Sequence, residues 1–531
     1  MLAKKLKKSE LEDDGSLLSP MYGSRHLREP VPRYELPENQ MPPTAAYQII
    51  HDELNLDGNP ALNLASFVTT WMEPEADKLM AESFGRNYID ADEYPQTTEI
   101  HNRCVNMLAR LFNAPEQNAA VGCATVGSSE AIHLAGLALK WRWRRRRRQE
   151  GRPTDAPNIV MGGNVQVCWE KFARYFDVEP RYVPLTSERY VIGVEEAMEL
   201  VDENTIGVVG ILGSTYTGEY EPIRALNDAI VELNARQGWD VGLHVDGASG
   251  AFVAPFTRPE LEWDFRLPAV TSINASGHKY GLVYPGLGWA IWRSEEDLPD
   301  ELIFHVNYLG GDQPTFNLNF SRGAGQVLAQ YYNFLRLGRQ GYREIMQGLD
   351  ATTSYLAQAV EAVGCFEILS KPGTVPLVCF RLAPGTVGDA KAGETGPGYT
   401  VFDISDHLRA RGWIVPAYTL APNAQDISVL RVVVRENFSR DMADLLADDL
   451  RHTVRLLETH GPVPSGAVRS SPGRSSPGRS GPGHSEVVHA GALDPGPGQA
   501  GTGHARSRPR IAAAAPARHE PGPPKTARGV C

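Results

Sequence analysis

A lysine amine that has lost its proton condenses with an aldehyde to a Schiff base, and Lys279 stands in a stretch suited to that chemistry. The run Ser272-Ile-Asn-Ala-Ser-Gly-His-Lys-Tyr-Gly281 leaves an apolar β-like segment, Ala269 to Ile273, through three small residues, Ala275-Ser276-Gly277. Small residues leave room for a planar group beside the backbone, and His278 and Lys279 follow at once. Taken alone, the motif is weak, since most lysines are solvated surface charges. Upstream, His244-Val-Asp-Gly-Ala-Ser-Gly250 places Asp246 where the apolar run Val241 to Val245 gives way to small residues. In open α/β sheets ligands bind at the carboxyl ends of strands, and an aspartate there can hold a protonated ring nitrogen. The alternative is an aspartate that merely caps the next turn. A third group, Gly127-Ser-Ser-Glu130, precedes the helical stretch Ala131 to Trp143, with Ser128 expected as its N-cap. A helix start offers free N–H groups and the positive end of its dipole to a phosphate, although an ordinary capped helix reads the same way. An anion cradle, a strand-end carboxylate and a lysine in a small-residue loop, in that order, suit an aldehyde cofactor with a phosphate and a ring nitrogen, as pyridoxal phosphate has.

The elements that must position these groups are legible as a pattern. Apolar β-rich runs at Ile159–Met161, Ile206–Leu212, Val241–Val245 and Ala269–Ile273 alternate with helical stretches such as Pro222–Gln237. That alternation predicts a mainly parallel sheet covered by helices. Thr44–Leu54 has helical spacing, and Asn63–Trp71 is expected to lead into the large domain. Further on, helices at Ala351–Val363, Val401–Arg411 and Met442–His460 enclose strands at Gly373–Leu382 and Ile427–Val434, the mark of a smaller α+β domain. The division expected is an N-terminal arm and helix (1–60), a large domain (61–348), a small C-terminal domain (349–460) and a tail (461–531).

Composition narrows the class. The chain has 531 residues, 42% hydrophobic and 22% charged, with a net charge of −12, which argues against a nucleic-acid binder. Trp141–Arg148 is an arginine block on a helix, read as a solvated helix end suited to the dipole. Six cysteines without a framework spacing point to reduced thiols in the cytoplasm. There is no signal-peptide pattern, no apolar run of membrane-spanning length, and no metal site is expected. The basic Met1–Lys8 reads as a frayed arm. Beyond Gly461 the chain is Pro, Gly, Ser, Arg and Ala for the most part and is expected to be disordered.

Several further motifs carry a resemblance: Gln48-Ile-Ile-His-Asp-Glu-Leu54, Asn87-Tyr-Ile-Asp90, Glu93-Tyr-Pro-Gln96, Lys140-Trp-Arg-Trp143, Thr215-Tyr-Thr-Gly218, Trp263-Asp-Phe-Arg-Leu-Pro268, Ser276-Gly-His-Lys279 and Tyr308-Leu-Gly-Gly311. With them the chain resembles, from about Tyr47 to His460, the bacterial and plant glutamate decarboxylases, pyridoxal-phosphate enzymes (group II decarboxylases) of the aspartate aminotransferase-like fold, type I. The resemblance implies a carboxy-lyase that converts L-glutamate to 4-aminobutanoate and CO2. It implies that Lys279 binds the cofactor as an imine and Asp246 faces the ring nitrogen. Ser128, Ser129, Ser276 and His278 lie at the phosphate, Gln166 and Ala248 on the ring faces, and Thr215 near the 3-hydroxyl. Ser321 reaches the phosphate from a neighbouring subunit, so a homo-oligomer is implied, a dimer at least with a hexamer left open. The substrate's distal carboxylate falls to Ser66, Phe67 through its backbone, Asn87 and Asp90, and its α-carboxylate to Arg431, which could equally be a surface strand arginine. Tyr308, on a Gly-rich segment, would close over the site and serve the proton returned to Cα. Asp90 beside a substrate carboxylate calls for a shared proton, and hence highest activity at mildly acid pH. Ser66 stands where relatives commonly have threonine. The tail lacks the tryptophan and amphipathic pattern of the plant calmodulin-binding segment, and the histidine plug of some bacterial relatives cannot be carried over to it. Another pyridoxal-phosphate decarboxylase, for aspartate or an aromatic amino acid, and a catalytically silent scaffold are the alternatives.

Overall fold

The computed structural model describes residues 34–116, 120–385 and 398–462. The expectations for Met1–Lys8 and for the tail, including its lack of a calmodulin site, lie outside the described residues.

After helix α1 (Pro43–Leu54), α2 (Pro95–Leu111) leads into β1 (Val121–Thr125), and α3 (Ser128–Gln149) follows at once. The chain then alternates through β2 (Asn158–Gly162), α4 (Val167–Tyr175), β3 (Glu179–Val183), β4 (Thr205–Ile211), α5 (Ile223–Gln237), β5 (Gly242–Asp246), β6 (Val270–Ala275) and β7 (Gly288–Trp292). These strands make one seven-stranded sheet in the order β1-β7-β6-β5-β4-β2-β3. Neighbours from β3 to β6 pair in parallel, and β7 runs against both β6 and β1. Helices cover both faces, so β2, β4, β5, β6 and β7 are buried along their whole length. This is why they read as continuous apolar runs rather than alternating ones. The mainly parallel sheet expected from the alternation is present, each expected strand found within a residue or two of its place.

Beyond the short hairpin β8 (Phe304–Val306) and β9 (Gln313–Thr315) runs the long helix α6 (Gly325–Glu361). It breaks at Gly338, whose φ of 57° only glycine adopts cheaply. The expected helix Ala351–Val363 is the end of α6, and the expected domain boundary at 348/349 falls inside it. A second sheet, in the order β10-β11-β13-β12, is antiparallel throughout: β10 (Phe366–Ile368), β11 (Leu377–Leu382), β12 (Ala417–Thr419) and β13 (Ser428–Val433). Helices α7 (Val401–Ala410) and α8 (Arg440–His460) cover it; a Thr400–Asp403 capping box starts the first, and Ser439 caps the second.

Two expectations are corrected. The stretch Asn63–Trp71, expected to lead into the large domain, is bonded first to the small sheet. Leu64 N–H donates to Ile414 O (3.0 Å) and its carbonyl accepts from Val433 N–H (2.9 Å), while the buried Arg435 guanidinium donates to the carbonyls of Pro60, Asn63 and Val68. The stretch then reaches the other sheet's loop, where Thr69 donates to His278 O (2.9 Å) and to Lys279 O (2.7 Å). The arginine block is not simply a solvated end either. Arg147 is buried and donates to Pro153 O, and Arg142 pairs with Asp240 and Asp297, each at 2.8 Å. Carboxylates and carbonyls of later segments fold back over the helix, which no local pattern announces. Among the described residues no helix is long and apolar enough to cross a membrane.

The start of β7 presses on the start of α3. A Cβ on Gly288 would lie 2.4 Å from Gly127 C and 2.7 Å from Ser128 N, too close for any side chain. Gly288→Ala should therefore cost roughly 1–3 kcal/mol in chemical denaturation through overpacking. A denaturation midpoint equal to wild type would show that strand and helix separate freely.

Candidate active site

At the carboxyl ends of the parallel strands lies a cavity of about 290 Å³. Its walls come from the start of α3, the ends of β4 and β5, and the loop after β6 that carries Lys279. Ser128, Ser129, Gln166, Thr215 and Asp246 line it, as do Ala248, Ser276, His278 and Lys279. Residues spread over 150 positions of sequence thus face one space.

One end is built for an anion. Gly127, not Ser128, occupies the N-cap position of α3; Ser128 is the first helical residue, and its hydroxyl lies 2.7 Å from that of Ser276. Glu130, three residues past the cap, accepts from Val126 N–H (2.8 Å) and Leu318 N–H (2.9 Å), taking the stabilising place of an acid in the first turn. The amides of Ser128, Ser129 and Glu130 have no carbonyl partner within the helix. His278 Nδ1 accepts from the backbone amides of Gly286 (3.3 Å) and Leu287 (3.1 Å). A neutral ring must then carry its hydrogen on Nε2 and be a donor there. Burial, with the Lys279 charge adding to it, lowers the His278 pKa to about 4, so the ring is neutral across the physiological range.

At the other end Asp246 closes β5. Its carboxylate accepts from Trp169 Nε1–H (2.9 Å), Asn274 Nδ2–H (3.0 Å) and Ala248 N–H (3.2 Å). The last of these is the turn-capping bond of the alternative reading, so Asp246 caps its turn and lines the cavity as well. Between the two ends sits Lys279. Its Nζ is 3.1 Å from Ser249 Oγ and 5.1 Å from the centre of the Phe67 ring. Burial lowers the amine pKa while the Asp246 carboxylate pulls it back up. Gln166 caps α4, its Oε1 accepting from Cys168 N–H at 2.7 Å. An anion cradle, an amine and a fixed carboxylate along a cavity of this size match the phosphate, aldehyde and ring nitrogen of pyridoxal phosphate.

Arg431 is not a surface arginine. It is 8% exposed, its guanidinium 5.0 Å from the Phe67 ring centre and 5.5 Å from that of Tyr418. It donates to the carbonyls of Thr215 and Ala65, and its Nε finds no partner among the described residues. Ser66, beside it, accepts from Val68 N–H through its hydroxyl (3.1 Å).

Of the expected residues, Ser66, Phe67 and Arg431 do not line the cavity, and neither do Asn87, Asp90, Ser321 and Tyr308. Asn87 forms a backbone bridge to Gly323, and its side-chain oxygen is buried without a partner among the described residues. Asp90 accepts from Glu93 N–H (3.0 Å). Ser321 is exposed, and Tyr308 at 71% exposure stacks on Phe320 in place of covering the site. They gather as a second cluster, where Tyr88 N–H donates to Arg322 O (2.8 Å) and the Arg322 guanidinium stacks on Tyr88. Sequence reading did not single out Trp169, Asn274, His244 or Ser249. Asn274 lay inside the Lys279 run, but Trp169 is 77 positions from Asp246, and no spacing rule joins them.

Two outcomes follow from this geometry. Pyridoxal phosphate followed by borohydride should label Lys279 ahead of the other lysines, and Lys279→Ala should lose the adduct, as peptide mass mapping would show. In labelled-histidine NMR, His278 should stay neutral through the neutral range and gain charge only as the pH falls toward about 4; half-protonation near the ordinary 6.5 would refute the buried donor.

The pyridoxal-dependent decarboxylase conserved domain matches residues 37–383. A glutamate decarboxylase of Petunia hybrida is 57% identical over 456 residues, covering 86% of this chain and 89% of its own length. That of Aliivibrio fischeri is 50% identical over 461 residues, covering 87% and 97%. The solved structure of a Lactobacillus brevis glutamate decarboxylase superposes with a TM-score of 0.79 at 44% identity, covering 84% of this chain and 99% of that one. A half-buried lysine, a strand-end aspartate and a helix start suited to an anion thus sit in a chain that matches over most of its length, and the protein belongs to the pyridoxal-dependent decarboxylase family.

Proposed function

We propose that the protein is a pyridoxal-phosphate lyase that removes the α-carboxylate of L-glutamate as CO2 and leaves 4-aminobutanoate, consuming one proton. The observation that carries this is the half-buried Lys279 amine lining one cavity with the cradle and Asp246, in a chain 50–57% identical to proteins named glutamate decarboxylase. When bound, the cofactor supplies an electron sink for the bond that breaks at Cα.

Lys279 would hold its aldehyde carbon. Ser128, Ser129, Ser276 and the Nε2–H of His278 would hold its phosphate, Ala248 and Gln166 its faces, and Thr215 its 3-hydroxyl side. Asp246 would keep the ring nitrogen protonated. For the substrate, Arg431 brings a desolvated positive charge with an unpartnered Nε, suited to the α-carboxylate. Ser66 and the Phe67 backbone adjoin it on the strap that also contacts the Lys279 loop.

Asn87, Asp90, Tyr308 and Ser321 are assigned across an interface. The Asn87–Gly323 bridge and the stacking of Tyr308 on Phe320 bring them near one another without their lining the cavity of their own chain, so a homo-oligomer, a dimer at least, would bring one subunit's cluster to the other's site. Asn87 and Asp90 would then meet the distal carboxylate, Ser321 the phosphate, and Tyr308 the proton delivered at Cα. A cytoplasmic setting is supported by Cys104, Cys123, Cys168, Cys365 and Cys379, all buried and unpaired.

The test is CO2 release from glutamate, aspartate and tryptophan as a function of pH. Glutamate should be preferred and its rate highest at mildly acid pH, where one proton can be shared between Asp90 and the substrate carboxylate. Asp90→Asn should extend activity toward neutral pH. Preference for another amino acid, or an unchanged pH profile in Asp90→Asn, would overturn the respective assignment.

A further inference from the structure

Behind Asp246 lies a chain of buried polar groups that the proposed chemistry does not yet use. The side chains of Ser272, His244, Asn274 and Trp169 are all essentially without solvent contact. His244 Nδ1 is 2.8 Å from Ser272 Oγ, and His244 Nε2 is 2.8 Å from Asn274 Oδ1. Asn274 Nδ2 in turn donates to Asp246 Oδ1 at 3.0 Å, while Trp169 Nε1 donates to Asp246 Oδ2 at 2.9 Å. The indole also lies edge-on to His244, ring centres 5.2 Å apart.

The hydrogen positions follow from the inventory of donors and acceptors. Indole nitrogen can only donate, so one carboxylate oxygen is always served. Asn274 has one donor end and one acceptor end, and turning its amide around would set its oxygen against a carboxylate and its NH2 against His244. With the donor end on Asp246, its oxygen needs a hydrogen from His244 Nε2. His244 Nδ1 is then bare and accepts the Ser272 hydroxyl. One arrangement satisfies every group, and buried groups left unsatisfied are costly. Burial disfavours a charged His244, which agrees with a neutral ring of fixed tautomer. All the hydrogens point one way, from Ser272 through His244 and Asn274 toward Asp246.

We propose that Ser272, His244, Asn274 and Trp169 are positioning residues that hold the Asp246 carboxylate in the orientation in which it grips the cofactor's ring N–H. This rests on the proposed cofactor chemistry. None of the four needs to touch cofactor or substrate: Asn274 and Trp169 act directly on Asp246, His244 sets the amide, and Ser272 sets the tautomer. Asp246 alone, on a strand end beside the Lys279 ammonium, would be free to turn toward that charge.

The network makes a prediction that general damage to the fold does not. Apoenzyme is titrated by absorbance and fluorescence with pyridoxal phosphate and, separately, with its 1-deaza analogue, in which carbon replaces the ring nitrogen. Wild type should bind pyridoxal phosphate far more tightly than the analogue. Trp169→Phe and His244→Phe, which keep aromatic bulk, should each weaken pyridoxal phosphate about tenfold while leaving the analogue within about twofold. Equal losses for both compounds, or no loss for either, would overturn the network's role. If Trp169→Phe does not fold, His244→Phe decides on its own, because it leaves all three direct donors to Asp246 in place. Wild type without selectivity for the ring nitrogen would instead strike at the cofactor assignment itself.

Discussion

A half-buried amine beside a buried carboxylate is an expensive arrangement, and most of the molecule can be understood as the means of keeping it. Desolvation lowers the Lys279 amine pKa, which favours its neutral, reactive form. Asp246 must remain an anion close by without collapsing onto that amine. Three N–H donors from a helix, a neighbouring strand and its own turn hold it in place. The parallel sheet makes this possible because strands that end together bring their following loops to one side, and helices on both faces exclude solvent from beneath.

A strap and two buried arginines help couple the two sheets. The strap from Pro60 to Thr70 is bonded to the small sheet by Leu64 and by Arg435, then reaches the Lys279 loop through Thr69. Arg431 works from the opposite direction: it belongs to β13 of the small sheet yet donates to Thr215 at the cavity wall. Each arginine donates to backbone carbonyls of segments distant in sequence, so its own buried guanidinium is largely paired. The bonds that pack the small sheet against the large one thus also reach Thr215 at the cavity wall and the loop that carries Lys279.

Much of this could be read in the order of residues. Long apolar runs alternating with helical stretches announce a covered parallel sheet, since a strand buried on both faces has no polar side to show. Lys279 among small residues, Asp246 at the end of an apolar run and Gly127-Ser-Ser-Glu130 before a helix are local signals, each complete within ten positions. They are legible because the chemistry of each depends on its own backbone: a strand end, a tight loop, a helix start.

What joins those signals was decided by tertiary structure. Trp169 meets Asp246 across 77 positions, and Arg431 meets Ala65 across 366. Such contacts carry no period and no spacing. The same holds for Arg147, whose sequence neighbours suggest solvent but whose guanidinium is folded under the Pro153 loop. It holds too for Asn87, Asp90, Tyr308 and Ser321, which do not line the cavity of their own chain. Sequence alone determined which groups could carry the chemistry; only the packing of distant segments decided which are desolvated, because burial belongs to the neighbours a residue acquires and not to the residue itself.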